Sequence, residues 1–281
     1  MEGNLLPPQL RVGTSSWSSE DWLGVFCPED TAPGDFITEY ARHFDTVEVD
    51  STFYRSPSPA MVRNWARRTP PGFVFAAKIP RSITHDKVMQ DCQDELKEFL
   101  SAMDLLGDKL GPLLFQFPYF NKQAFPRPED FLARLEPFLE KLPTGYAFAL
   151  ETRNKNWLSE KFLDVLRTHN VALALIDHPW MTPVDQLVKK YDPVTADFTY
   201  IRWLGDRKGI EAMTQQWNRT IVNRQREMDT WIPVIDRLLE RRLRIYAYFN
   251  NHYAGFAPGS ISLLLDTWKR SHPGGRRDAG S

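Results

Sequence analysis

"FDTVEVDSTFYRSP", residues 44–57, places two acidic residues inside an apolar run. In this stretch Val47 and Val49 alternate with Glu48 and Asp50. Successive side chains of a strand point to opposite faces, so the two valines share one face and the two carboxylates share the other. The pattern predicts a strand that packs its apolar face against helices and carries its acidic face towards a polar site.

Short apolar runs of this kind recur along the chain and alternate with segments of helical length. The strand candidates are residues 10–16, 46–51, 73–79, 112–117, 146–152, 172–177, 198–204 and 244–251. The helix candidates are residues 34–43, 59–69, 90–106, 129–141, 158–169, 211–240 and 259–270, and the least helical connection is 178–195. Eight strands with helical crossovers predict an α/β fold, a single (β/α)8 TIM-type barrel, although an open doubly wound sheet gives the same alternation.

Length and composition narrow the class of protein. We expect one barrel domain at residues 9–270, with loose tails at 1–8 and 271–281. The net charge of −1 gives no overall field towards nucleic acid or a membrane. Cys27 and Cys92 are too few for a disulfide framework or a thiolate metal site. Because no run approaches the length of a spanning helix, we expect a cytoplasmic protein without a membrane partner.

Polar side chains occur at the C-terminal ends of the predicted strands. They are Glu48, Asp50, Lys78, Gln116, Glu151, Asp177, Arg202 and Asn250. In a (β/α)8 barrel these strand ends meet at one mouth, where active sites of this fold lie. Because buried charges are costly unless they neutralise one another or a ligand, the pattern predicts a charged pocket at that mouth.

Seven ordered motifs add a family resemblance over residues 11–265. They read "VGTSSWSSEDWLGVFCP", "VEVDSTFYRSP", "PPGFVFAAKIPRSITH", "KLGPLLFQFPYF", "LETRNKNWL", "LIDHP" and "YFNNHYAG". Together they resemble the YecE-like family, domain of unknown function 72, which implies a TIM-type barrel. The family's recurrent polar positions fall here on Glu48, Ser51, Thr52, Tyr54, Lys78, Thr84, His85, Gln116, Glu151, Arg153, Trp157, Asp177, Arg202, Asn250 and Asn251.

One position departs from the family pattern. After strand seven the family has arginine, an apolar residue, histidine and glycine, whereas this chain reads Arg202, Trp203, Leu204 and Gly205. A mechanism that needs that histidine is therefore not expected to transfer to this chain.

The first functional hypothesis is an enzyme, a hydrolase or lyase that acts on a small phosphate- or carboxylate-bearing substrate. Glu48 and Glu151 are its candidate general acid and base, and Lys78 its candidate anion clamp. The other catalytic candidates are Asp177 and His85. The candidate substrate-binding residues are Asp50, Tyr54, Gln116, Arg153, Trp157, Arg202, Asn250 and Asn251. A competing interpretation makes the carboxylates a structural ion network with Lys78 and Arg202, without chemistry.

Two further classes of function stay open. A non-catalytic barrel would bind nucleic acid or a protein through its mouth and residues 206–230. A metal-dependent, nuclease-like phosphodiesterase would use carboxylates such as Glu48 and Asp177 as ligands, although Lys78 and Arg202 would compete for the same oxygens. The chain has no phosphate-binding glycine-rich loop and no dinucleotide fingerprint, so no cofactor is expected, and a divalent metal is left open.

Overall fold

A computed structural model describes residues 5–273, in which eight parallel strands form a nearly closed barrel. The strands are β1 Leu10–Thr14, β2 Thr46–Val49, β3 Val74–Lys78, β4 Leu110–Gln116, β5 Phe148–Glu151, β6 Val171–Asp177, β7 Phe198–Trp203 and β8 Arg244–Phe249. From β2 to β8 each strand pairs with the next in sequence, and β1 pairs with β8. This order has no reversal point, so the doubly wound alternative is excluded and the (β/α)8 barrel is confirmed.

Helices surround the barrel and connect its strands. Their bounds are α1 Phe36–Tyr40, α2 Pro59–Arg67, α3 Gln93–Met103, α4 Pro128–Leu139, α5 Glu160–Thr168, α6 Val184–Lys190, α7 Arg207–Met213, α8 Gln225–Glu240 and α9 Ala257–Ser271. Serine and proline begin some of them, as the sequence predicts. At α2 the Ser58 hydroxyl accepts the Met61 backbone N–H, and Pro59 occupies the first turn. No helix among residues 5–273 has the length and apolar character needed to cross a bilayer.

The prediction of one helix over residues 211–240 is wrong. Two helices, α7 and α8, occupy this region, and residues 214–224 between them are not helical. The Thr214 hydroxyl accepts the Gln216 backbone N–H, and the Asn223 side chain accepts that of Gln225. Side chains that bind nearby backbone groups compete with helical hydrogen bonds, which explains the break.

The predicted N-terminal tail is only partly within the described residues. Residues 1–4 and 274–281 lie outside them. Leu6, assigned to the loose tail, is instead 7% exposed and packs in the core outside the strands. The Leu10 backbone N–H donates to the Pro7 carbonyl, which holds this segment against the start of β1.

Alternate residues of the strands fill the barrel interior. Small side chains face inward on several strands, including Ala76, Ala149, Ala172 and Ala174. They leave room for large polar side chains on β7 and β8, where Tyr200 and Tyr248 are fully buried. The outward-facing valines of β2 join the core between strands and helices, as predicted. The interior is therefore apolar in its lower part and becomes polar towards the carboxyl ends.

A tyrosine completes the barrel between β1 and β2. The buried Tyr40 hydroxyl accepts the Thr14 backbone N–H at 2.8 Å and donates to the Thr46 carbonyl at 3.0 Å. Gly13 permits this close approach, because a Cβ atom there would lie 2.2 Å from the Thr46 carbonyl oxygen. The side chain thus connects backbone groups of the first two strands across the closure.

Candidate functional site

A cavity of about 550 Å3 opens at the carboxyl ends of the strands. Its lining includes Asp50, Phe53, Tyr54, Lys78, His85, Gln116, Arg153, His178, Trp180, Arg202, Leu204, Asp206, Arg207, Lys208, Asn250 and His252. This volume lies within the usual range for small-molecule sites. A larger groove of about 1000 Å3 lies between α2 and α3, but its charged residues are all exposed. The convergence of buried charge makes the mouth cavity the candidate site.

A buried ion chain, made of Glu48, Arg202, Glu151 and Arg153, connects to this cavity. Arg202 donates from Nε and Nη2 to the two oxygens of Glu48, at 2.8 and 2.7 Å, and from Nη1 to Glu151 at 2.5 Å. Arg153 donates from Nε to the other oxygen of Glu151 at 2.5 Å. Tyr200 donates its hydroxyl to Glu48 at 2.7 Å. Two carboxylates and two guanidinium groups make the chain electrically neutral.

The charges of the ion chain stabilise one another. Burial raises the pKa of Glu151, but Arg153 and Arg202 outweigh it and lower the pKa to about 2. Burial likewise disfavours the charged form of Arg202, yet Glu48 and Glu151 hold its pKa well above the ordinary value. Glu151 and Arg202 therefore both stay ionised at neutral pH. A carboxylate with so low a pKa is a weak proton acceptor.

Glu48 and Glu151, the candidate acid and base, do not line the cavity. Both are 0% exposed, and each of their carboxylate oxygens accepts at least one hydrogen bond from the chain's own arginines. Arg202, a candidate substrate-binding residue, is 2% exposed and gives Nε, Nη1 and Nη2 to these carboxylates. The arrangement contains the Glu48–Arg202 pair of the competing interpretation, while Lys78 pairs with Asp50 instead, and it holds guanidinium groups in fixed positions.

Arg153 differs from Arg202 in having donors to spare. Its Nε is bound by Glu151, whereas its two Nη groups have no hydrogen-bond partner among residues 5–273. Its side chain is 22% exposed and lines the cavity. A guanidinium group anchored at one edge and open at the other is suited to accept a carboxylate or phosphate.

Lys78 lies on the same cavity wall. Its Nζ is 2.9 Å from Asp50 Oδ1 and 4.2 Å from the centre of the Phe53 ring. The side chain is 9% exposed, so its ammonium group is nearly enclosed. An ammonium group carries three donors, and one ion pair leaves others for a ligand. Lys78 and Asp50 thus lie in the cavity together, as the strand pattern predicts.

Two histidines in the cavity are neutral at pH 7. Burial, and then Lys78, lower the pKa of His85 to about 4. Burial, and then Arg153, lower the pKa of His178 to about 4 as well. The Nδ1 atom of His178 accepts the Trp180 backbone N–H at 3.3 Å, so the proton of the neutral ring lies on Nε2. A third histidine, His252, contacts Glu211 and Asn250 through its two ring nitrogens.

Asp177, a candidate catalytic residue, does not join this site. Alternation along β6 turns Ile176 towards the barrel interior and Asp177 towards the helices. There its Oδ2 atom accepts the Trp231 Nε1–H at 2.9 Å. The sequence prediction is corrected by one position, because the next residue, His178, reaches the cavity instead.

Trp157 and Asn251, two candidate substrate-binding residues, also lie elsewhere. Trp157 is 5% exposed and packs in an aromatic cluster, with its ring 4.5 Å from that of Phe131. Asn251 accepts the Ala257 backbone N–H at 2.9 Å and so fixes the start of α9. The other candidates in the binding set, which are Asp50, Tyr54, Gln116, Arg153, Arg202 and Asn250, do line the cavity.

The loop after β7 forms part of the wall and contributes Leu204 to it. The next residue has φ +67°, and a Cβ atom there would lie 2.4 Å from the His252 carbonyl oxygen. Only glycine fits this position, which Gly205 occupies. Within residues 5–273 no three His, Cys, Asp or Glu side chains gather in a way that could hold a metal ion.

Several residues of this cavity are absent from the catalytic and substrate-binding residues predicted from the sequence. His178 and Trp180 come from the loop after β6, and Arg207 and Lys208 from the start of α7. A signal for His178 existed in the alternation of β6, where Ala172 and Ala174 already mark the inward positions. No comparable signal marks loop residues, because their side chains follow no fixed period.

A ring of eight parallel strands with a charged cavity at its carboxyl end defines a TIM-barrel protein with its site in the usual position for this fold. The chain belongs to the family described as "Protein of unknown function DUF72", whose model matches residues 11–278.

Similar proteins agree with this assignment. UPF0759 protein YecE of Escherichia coli K12 is 31% identical over 154 residues. The match covers 54% of this chain and 51% of YecE, so it spans about half the length of YecE. UPF0759 protein YunF of Bacillus subtilis is 23% identical, and the match covers 92% of this chain and 94% of YunF. The crystal structure of a DUF72 family protein from Thermotoga maritima has a TM-score of 0.68 and 26% identity, covering 93% of this chain and 98% of that one.

Proposed function

We propose that the protein is an enzyme, a hydrolase or lyase, and that its substrate is a small molecule with a phosphate or carboxylate group. The observation that carries this proposal is Arg153, which is anchored through Nε while its two Nη groups have no partner among residues 5–273. Together with the ammonium group of Lys78, it offers an anion several donors within one cavity.

The ion chain explains how Arg153 is held ready. Glu151 binds Arg153 on one oxygen and Arg202 on the other, and Arg202 is fixed in turn by both oxygens of Glu48. Donors that are already oriented need no reorganisation when a negative charge arrives or develops. In this proposal Arg202 positions the clamp, and Arg153 takes the anion-binding role.

Proton transfer is assigned to His85 and His178. Both are neutral at pH 7, because burial and nearby positive charges disfavour their protonation. A bound anion would cancel part of that positive charge and thereby raise the proton affinity of the adjacent imidazole. Substrate binding would therefore turn a weak base into a better one at the moment when it is needed.

Arg153→Met tests the anion site, and Arg127→Met is its matched control because the Arg127 side chain is 71% exposed and lies outside the cavity. Inorganic phosphate and acetate should bind the unchanged protein and Arg127→Met alike in calorimetry. Arg153→Met should weaken both by at least about tenfold, since a charge-assisted hydrogen bond contributes about 1.5–3 kcal/mol. Equal affinity in both variants would remove Arg153 from the site.

Catalysis needs its own test. A panel of phosphate esters and carboxylic acids should yield a substrate whose turnover falls about 10²- to 10⁴-fold in His85→Ala or His178→Ala, the range for loss of a general acid or base. If members of the panel bind but none is converted to a product, the non-catalytic alternative is favoured instead.

The nucleic-acid or protein-binding alternative has less support. The 206–230 segment has five basic and four acidic residues, so its net charge is close to zero, and two of its arginines are paired, Arg207 with Glu211 and Arg224 with Glu227. Paired charges contribute little to a basic surface. If affinity for single-stranded or duplex DNA fell steeply with salt, this alternative would gain the support it lacks.

A further inference from the structure

We infer that the molecule bound in the mouth cavity carries a flat aromatic ring beside its anionic group, and that Tyr54 and Trp180 bind this ring. The inference rests on the proposed function for the anionic part and adds the chemical class of the remainder.

The exposed aromatic side chains are not scattered over the surface. Among residues 5–273 the large exposed ones are Tyr54, Tyr119 and Trp180, at 68%, 67% and 67%. They follow β2, β4 and β6 respectively, so all three lie at the carboxyl end of the barrel. Tyr54 and Trp180 line the cavity, and Tyr119 does not. Exposed rings of this size at one end of the molecule indicate a surface that a ligand covers.

Both rings are held by neighbours that belong to the cavity wall. The Trp180 ring packs edge-on against His178 at 5.4 Å, and its backbone N–H donates to the same imidazole. The Tyr54 ring packs edge-on against Phe53 at 5.2 Å, and the Phe53 ring in turn contacts Lys78. The Trp180 ring thus contacts a polar group of the site directly, and the Tyr54 ring is joined to one through Phe53.

These properties favour a small aromatic anion. The cavity of about 550 Å3 is large enough for a ring together with a charged group. Tyr and Trp offer a broad contact surface at low conformational cost, since each has two rotatable side-chain bonds. Stacking of a ligand ring on either of them would exclude water from the anion beneath and so strengthen its bonds to Arg153 and Lys78.

Calorimetry with five ligands tests the inference: inorganic phosphate, phenyl phosphate, cyclohexyl phosphate, benzoate and acetate. Phenyl phosphate should bind at least about fivefold more tightly than inorganic phosphate, the lower end of what stacking on one aromatic ring supplies. Cyclohexyl phosphate should show a smaller gain. Trp180→Ala should remove most of the phenyl preference and leave the affinity for inorganic phosphate within about twofold.

Tyr119→Ala is the matched control. Tyr119 is as exposed as Trp180 and lies at the same end of the barrel, but it is outside the cavity. This variant should change neither affinity. Equal binding of phenyl phosphate and inorganic phosphate overturns the inference and leaves the anion site intact. The same conclusion follows if Tyr119→Ala loses as much of the preference for phenyl phosphate as Trp180→Ala does. Equal binding of cyclohexyl and phenyl phosphate overturns the aromatic class. If none of the phosphates or carboxylates binds, the proposed function fails and this inference fails with it.

Discussion

Removing Arg202 should unbalance the buried ion chain, and removing Glu48 as well should restore the balance. Arg202→Met leaves Glu48 and Glu151 facing the one remaining guanidinium group, that of Arg153, so one negative charge is buried without a partner. The double variant Glu48→Gln/Arg202→Met leaves only the Glu151–Arg153 pair, whose charges cancel. Net charge, and not the number of lost hydrogen bonds, should therefore decide which variant is less stable.

The expected size follows from burial. Arg202 is 2% exposed and its carboxylate partners are 0% exposed, so water cannot compensate for the lost charge. Removing one member of a buried pair costs about 3–5 kcal/mol. At about 2.1 cal/mol/K of unfolding entropy per residue, a chain of 281 residues loses about 1.7 °C in Tm per kcal/mol, so the expected fall in Tm is roughly 5–9 °C. The double variant should recover at least about 1 kcal/mol relative to Arg202→Met, within the range of measured coupling between contacting residues.

Urea unfolding followed by circular dichroism measures these differences. The control is Lys189→Met, which also changes a cation to methionine but breaks an exposed pair with Asp185, expected to cost below about 1 kcal/mol. The reasoning is refuted if Arg202→Met costs no more than the control. It is refuted equally if the double variant is less stable than Arg202→Met, because lost contacts would then outweigh charge balance.

Two further predictions concern the barrel itself. Tyr40→Phe leaves the buried Thr14 N–H and Thr46 carbonyl without the hydroxyl that joins them. We therefore expect the free energy of unfolding to fall by about 1–3 kcal/mol and amide exchange in β1 to become faster. Tyr119→Phe, at an exposed position, is the control and should change neither. The pKa of Glu151 is 4.5, its ordinary value, in the unfolded chain and about 2 in the folded protein. Its ionised form therefore contributes roughly 3 kcal/mol to folding stability above pH 4.5, and this contribution is lost as the pH falls towards 2. Glu151→Gln should therefore flatten stability over that window, and an unchanged pH profile would contradict the ion chain.

The sequence predicts the barrel well because each strand is a local pattern. Alternation in β2 places Glu48 inside and Val47 outside from four residues alone. What alternation cannot supply is the pairing of β1 with β8, which depends on residues more than two hundred positions apart, or the closure between β1 and β2. The resemblance to the family supports closure without explaining it.

The site is only partly predictable, for a related reason. Within strands, the inward position of Arg202 follows from that of Tyr200 two residues earlier. The same rule, applied to β6, would have excluded Asp177 and favoured His178. Beyond the strand ends no period holds, so Trp157 enters an aromatic cluster while Trp180 reaches the cavity, although both follow a strand closely.

The ion chain also makes the proposed anion site compatible with a net charge of −1. Its two carboxylates, Glu48 and Glu151, are buried below the cavity, whereas the open edge of Arg153 lies at the cavity surface. A neutral group of charges arranged in this way presents a positive potential on one side only. Attraction for an anion then depends on the order of the charges and not on their sum. Removing Glu151 would raise the positive charge of the site and yet weaken anion binding, because Arg153 would lose the partner that orients it.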